Sequence, residues 1–228
     1  MNRKSTFLTT TMGVCLTAMV CCALWGSAFP CIKIGYQLFQ IDGNDISSQL
    51  LFAGCRFTLA GLLTILLGSL MNRRPLIPRK TSWIRIAKLS LFQTVIQYLF
   101  FYVGLAHTTG VKASIIEASN VFVAILIASL IFRQEKLDKH KIIGCIAGFA
   151  GVVLININQS GLDMSLSLTG EGFILLSTIA YAVSSVLIKI YSREDNPVML
   201  SGWQFLLGGI IMILCGYLTG GSVSVWTA

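Results

Sequence analysis

Long apolar stretches parted by short polar connections make up almost the whole chain. Seven of them, 14–38, 48–71, 87–106, 113–132, 142–157, 172–191 and 198–219, reach or approach the length of about 20 apolar residues that a helix needs to cross a bilayer. The fifth is the shortest, and Lys139, His140 and Lys141 stand at one end where long side chains reach toward the interface. No connection is long enough for a soluble domain. The pattern therefore predicts an all-α membrane protein, a polytopic helical bundle of about seven transmembrane helices. The first stretch follows Arg3-Lys4 as a secretory signal does, but it runs past Trp25 to Phe39 with Lys33 its one interruption. A signal core is about 7–15 residues long, so this stretch reads as a first span.

Composition agrees: 55% of residues are apolar and 11% charged, against about 25% charged in soluble domains, and the mean hydropathy is +0.79. The balance of 17 Lys and Arg against 9 Asp and Glu raises nucleic acid as a partner until the positions are read. Fourteen of the 17 fall before the first span or between spans two and three, four and five, or six and seven. That is the alternation by which cations are kept on the cytoplasmic side. It places the N-terminus in the cytoplasm and, after seven spans, the end of this chain outside, in a multi-pass cell-membrane protein. The seven cysteines lie in apolar stretches without ligand spacing and read as small apolar residues.

One short sequence occurs twice. GCRFTLAG at 54–61 matches GWQFLLGG at 202–209, pairing Gly54 with Gly202, Phe57 with Phe205, Leu59 with Leu207 and Gly61 with Gly209, while Arg56 falls on Gln204. A second echo sets Ile32-Lys33-Ile34 on Ile188-Lys189-Ile190 and so Trp25 on Tyr181. Spans one and two thus correspond to spans six and seven. Five spans separate the copies, and an odd number inserts the second upside down. Inverted repeats of this kind are a recurrent architecture of secondary transporters, with the solute near the midplane.

The stretch GLAHTTGVKASIIEASNVFVAILIASLIFRQEKLDKHKIIGCIAGFAGVVLIN at 104–155, with Glu135, Gly144 and Gly151, resembles the paired fourth and fifth helices of the EamA-type transporters of the drug/metabolite transporter superfamily. LWGSAFPCIKIG at 24–35 and GCRFTLAG resemble that family's first and second helices. The resemblance implies two five-helix repeats, here 13–157 and a partial second copy at 170–228 that stops after two helices. On that reading three helices are absent, and the chain is a fragment or a truncated frame. Many relatives carry a proline in the fourth helix near the position of Asn120; this chain does not.

Ionisable residues within spans point to function. Lys33, Arg56 and Glu117 fall at depths within about 5 Å of one another at 1.5 Å per residue. Together they suit a zwitterionic or anionic solute, or a proton carried by Glu117 as coupling residue. The plainer alternative is a structural salt bridge from span four to span one or two. Polar and aromatic residues extend the candidate cavity: Trp25, Ser27 and Pro30 on span one, Gln93, Gln97 and Tyr102 on span three, Asn120 on span four, Tyr181 and Ser184 on span six, and Gln204 on span seven. Gly144-x-x-x-Gly148 and Ala147-x-x-x-Gly151 read as close-packing motifs. No phosphate loop, nucleophile elbow or metal pair is present in the sequence, so neither an enzyme nor a cofactor is expected. The expected partners are a small-molecule solute and the lipid bilayer, with a homodimer left open and no nucleic acid. The expected function is secondary transport by alternating access, exporting or exchanging small organic metabolites such as amino acids or toxic compounds. The alternative is a non-transporting membrane subunit or degenerate fragment.

Overall fold

A computed structural model describes residues 10–133, 138–160 and 167–223. Every regular element among them is helical. Helix α1 is Thr11–Leu38, capped by the Thr10 hydroxyl on the Gly13 amide and carrying Pro30 inside it. With residues to Gly43 it forms a unit of its own, and the second unit runs from Asn44 to Ser222.

In the second unit α2 is Ile46–Asn72, capped by Asp45. The hydroxyl and amide of Ser48 both donate to the Asp45 carboxylate and hold its pKa below the usual range. Helix α3, Ser82–Leu105, widens into a π-helical turn at Ser90–Ile96. Helix α4 consists of Gly110–Ala118, Asn120–Leu126 and a π-helical turn at Ile127–Ile131. Helix α5 is Lys139–Ser160, α6 is Leu168–Tyr191 and α7 is Pro197–Leu218. The helical stretches Ile46–Asn72, Ser82–Leu105, Lys112–Ile131, Leu168–Tyr191 and Pro197–Leu218 are long and apolar enough to cross a membrane. The break in α4 needs no proline. Ser119 turns its hydroxyl and its amide onto the Ile116 carbonyl, at 2.5 and 3.0 Å, and so competes with the helical ladder.

The closest packing joins α2 to α7, and glycine explains it. Both helices carry glycine every seventh residue, at Gly54, Gly61 and Gly68 and at Gly202, Gly209 and Gly216. A Cβ on Gly54 would lie 2.6 Å from the Ile213 amide nitrogen, and one on Gly209 would lie 2.5 Å from that of Thr58. Any side chain there drives the two backbones apart. Contacts climb one helix as they descend the other, from Gly216 on Leu51 to Gly68 on Val198, so the pair is antiparallel. It is also self-complementary: Gly54 meets Gly209, the counterpart of Gly61, and Gly61 meets Gly202, the counterpart of Gly54. That reciprocity is the signature of a two-fold axis. Near it the matched Phe57 and Phe205 stack, centroids 5.6 Å apart. By contrast a Cβ on Gly144, Gly148 or Gly151 would meet nothing within 4 Å. The close approach expected at α5 is thus found at α2 and α7 instead.

Helix α3 lies against both α6 and α7. On the face with the basic connections, Arg85 pairs with Glu194 and, at 2.7 Å, with Asp195, which also accepts from Ser82. Burial pushes the Asp195 carboxyl up, but the bonds from Ser82 and Arg85 outweigh this and hold it below the ordinary carboxylate value. At the other end Glu171 accepts from the Thr108 hydroxyl and the Ser167 amide, each at 2.7 Å, with the Lys112 ammonium at 3.5 Å.

Candidate functional site

The polar residues within the helices of the second unit fall into two neighbouring groups. One is amide and hydroxyl chemistry between α3 and α7. Gln204 is fully buried; its side-chain amide donates to Gln93 at 3.0 Å, while the Ser90 hydroxyl donates to the Gln204 carbonyl at 3.0 Å. The wide turn of α3 makes room for this by passing the Gln97 amide to the Phe92 carbonyl, five residues back. Gly208 completes the fit, since a Cβ there would meet Thr94 at 2.5 Å. The Oε1 atoms of Gln204 and Gln97 and the hydroxyls of Thr94 and Thr58 stay buried without a hydrogen-bond partner. Such acceptors are costly in apolar surroundings unless water or a ligand reaches them.

The second group is aromatic with a charge on either side. Tyr98 tilts on Phe57 at 4.7 Å and lies 6.2 Å from Tyr102, which meets Phe101 edge-on at 5.7 Å. The Arg56 guanidinium sits 5.0 Å from the centre of the Phe57 ring, within the range at which a cation is attracted to an aromatic face. Helices α2 and α3 thus bring Arg56, Phe57, Tyr98 and Tyr102 into one cluster. Neither Arg56 nor Glu117 forms an ion pair among the described residues. The salt bridge weighed from sequence is not formed between Arg56 and Glu117.

The other sequence candidates distribute unevenly. Ser184 and Ser185 donate to the Tyr181 carbonyl, at 2.7 and 2.9 Å, and Ser27 donates to the Leu24 carbonyl at 2.8 Å. These hydroxyls turn back onto their own helices. Asn120 stands at the α4 break, its Oδ1 buried and unpartnered. Ser27, Pro30 and the exposed Lys33 belong to the α1 unit. The side chain of Trp25, and Glu135 altogether, lie outside the described residues. Tyr98 is the member that sequence reasoning passed over. It stands one turn before Tyr102, and that i, i+4 spacing is the signal that finds it. No group of three potential metal ligands comes together among the described residues.

These features define a multi-pass helical membrane protein whose second and seventh helices pair about a local two-fold. The model of the EamA-like transporter family matches residues 12–157 and again 168–227, and the chain belongs to that family. An uncharacterized transporter of Archaeoglobus fulgidus is 31% identical to it over 86% of this chain and 64% of its own length. A WAT1-related chloroplastic protein of Arabidopsis thaliana is 27% identical over 83% of this chain and 44% of its own length. The uncharacterized transporter YvbV of Bacillus subtilis is 25% identical over 90% and 63%. The chain spans roughly half the length of the curated relatives it matches, from 44% to 61% of the first two. No solved structure matches it.

Proposed function

We propose that the chain serves secondary transport of small organic metabolites, such as amino acids or toxic compounds, by alternating access between two inversely oriented units. The units are taken as 13–157 and 170–228, with the N-terminus in the cytoplasm. One observation carries the reading: the equivalent segments of α2 and α7 meet antiparallel and reciprocally, Gly54 on Gly209 and Gly61 on Gly202. Halves related by such an axis exchange roles when the solute site opens to one side and then the other.

The solute site in this reading is the aromatic cluster around Tyr98. Arg56 meets an anionic group of the solute and the rings stack on its apolar part. Glu117 acts as coupling residue, since an ionisable side chain inside a span is the kind of group that marks ion and proton pathways.

The test is uptake and efflux by proteoliposomes carrying the chain, screened with amino acids, purines and common antimicrobials, with and without a pH gradient. Movement of a solute that responds to the gradient, with the response abolished in Glu117→Gln, supports the proposal. Failure of every solute to move in vesicles holding folded protein favours a purely structural membrane subunit. Movement with an unchanged pH response in Glu117→Gln removes the coupling role alone.

A further inference from the structure

The amide and hydroxyl group between α3 and α7 is rich in acceptors that nothing meets. Gln204 and Thr94 are fully buried, yet Gln204 Oε1 and the Thr94 hydroxyl have no hydrogen-bond partner among the described residues, and the same holds for Gln97 Oε1 and the Thr58 hydroxyl. The nearest donors are already engaged. Gln204 commits its side-chain NH2 to Gln93 Oε1 at 3.0 Å, and the Ser90 hydroxyl is committed to the Gln204 carbonyl at 3.0 Å. Thr94 is pressed against Gly208 and Thr58 against Gly209, so the two hydroxyls meet α7 at consecutive residues, about one turn on from Gln204.

The same turns of the same three helices carry the aromatic cluster. Gln97 precedes Tyr98 on α3, Thr58 follows Phe57 on α2 and Gln204 precedes Phe205 on α7. The Phe57 ring lies 4.7 Å from that of Tyr98 and 5.6 Å from that of Phe205, and the Arg56 guanidinium lies 5.0 Å from its centre. A guanidinium and residues bearing unmet acceptors thus flank one group of rings.

A molecule bound among these rings has to suit both. Buried acceptors left unpaired cost free energy, so a site that holds them discriminates strongly against a molecule without donors. An alkali ion satisfies the oxygens but is repelled by the guanidinium beside the same rings. An ammonium group has three donors and no acceptor, and where its own molecule supplies a carboxylate to Arg56 the repulsion is offset. We propose that the solute is a zwitterion, its carboxylate met by Arg56 and its primary ammonium group by the side-chain oxygens of Gln97, Gln204 and Thr94. This rests on the solute site placed around Tyr98 and narrows it from an anionic solute at large to one that also carries an ammonium donor. Gln97 and Thr94 are then the residues that set specificity.

Leucine and phenylalanine are titrated against the purified 228-residue chain in detergent, beside their desamino acids, isocaproate and hydrocinnamate, and their decarboxylated amines, isoamylamine and phenethylamine. Melting followed by tryptophan fluorescence reports binding, because a ligand of the folded state raises the midpoint with its concentration. At least one amino acid is expected to raise it saturably, with its acid and its amine each about tenfold or more weaker. In Gln97→Leu, and in Thr94→Val, the preference for the amino acid over its acid falls to about threefold or less, while affinity for the acid is kept. Thr94→Val retains the shape set against Gly208 and loses no hydrogen bond, so it carries the test if Gln97→Leu does not fold. Thr64→Val removes a hydroxyl that donates to the Ala60 carbonyl of its own helix at 2.7 Å and leaves the preference intact. Equal binding of amino acid and acid by the parent chain, a preference unchanged in Thr94→Val, or the same loss in Thr64→Val overturns this inference and leaves the solute site standing. If the folded chain binds none of the six molecules, the solute site falls and the inference with it.

Discussion

Helices α2 and α7 carry the same short sequence and have different surroundings. In α7 the segment is covered: Gln204 is buried against Gln93 and Ser90, Trp203 packs on Trp83, and Gly208 receives Thr94. In α2 the corresponding positions are less covered, Arg56 and Ala60 being half-buried. Leu59 is 61% exposed, Cys55 is exposed, and Arg56 rests on the neighbouring Phe57 ring. The shared part, glycine every seventh residue and one phenylalanine, is the part that touches the other copy. In α7 the differing residues Trp203 and Gln204 face α3. The matched glycines therefore mark the mutual interface, while matched Leu59 is exposed and matched Phe57 also meets Tyr98 of α3. Arg56 is half-buried beside the Phe57 ring, whereas Gln204 is fully buried.

The comparison breaks most severely at its shared element. Gly54→Val or Gly209→Val places a branched side chain where even a Cβ would stand 2.6 or 2.5 Å from a backbone nitrogen. Overpacking costs about 1–3 kcal/mol where neighbours yield and more where they do not. Loss of the monodisperse folded species in detergent is expected for both. If only one of the two positions proves sensitive, the two-fold description is wrong.

The next largest effect comes from exchanging the divergent residues. Gln204→Arg puts a charge into a fully buried place and removes the bond to Gln93, for a cost of about 3 kcal/mol. Arg56→Gln costs within about 0.5 kcal/mol of stability, as expected of a residue away from close packing, although in the transport proposal it abolishes anionic solute binding. Melting of the two variants, followed by tryptophan fluorescence, measures the asymmetry directly. Equal destabilisation would remove it.

A smaller effect of about 1 kcal/mol is expected where the α7 side is locked and the α2 side is not. The Asp195 carboxyl is held below its ordinary value, so the folded state binds its proton less readily than the unfolded chain does. Its contribution is present in full above an unfolded pKa of about 3.9 and is lost as pH falls through the lower folded value. Stability measured from neutral pH downward should decline less in Asp195→Asn than in the parent chain, and the variant should start lower. An unchanged acid limb would mean that Ser82 and Arg85 do not hold the carboxylate in solution. The smallest effect belongs to Gly144→Ala. Its Cβ meets nothing within 4 Å, so the variant should melt unchanged or gain up to about 1 kcal/mol from helix propensity.

Much of this was legible in the chain because apolar length and charge alternation act locally. The helical spans, the correspondence of 54–61 with 202–209 and the polarity of Arg56 and Gln204 are all written in single stretches. The break in α4 was not legible, because the expected marker was proline and the cause is a serine hydroxyl turned onto the Ile116 carbonyl. The hydroxyls of Ser27 and Ser184 seemed available by spacing, yet each satisfies a carbonyl of its own helix. A hydroxyl in hydrocarbon takes the nearest acceptor, and that acceptor is one turn away.

What the sequence determined by itself is that the chain is helical, that it lives in a membrane, and that its second and seventh helices share one pattern. Those properties follow from the cost of burying polar backbone in hydrocarbon and from the spacing of glycine along a helix. What only the tertiary structure decided is which glycines are used and which charges are left unpaired. The spacing of Gly144 and Gly148 reads as a close-packing motif, yet Gly54 and Gly209 admit a backbone while those two face open space. Glu117 looked like the partner of Arg56, yet the two form no ion pair among the described residues. Close approach and charge pairing depend on distances between segments far apart in the chain, and no local pattern encodes those distances.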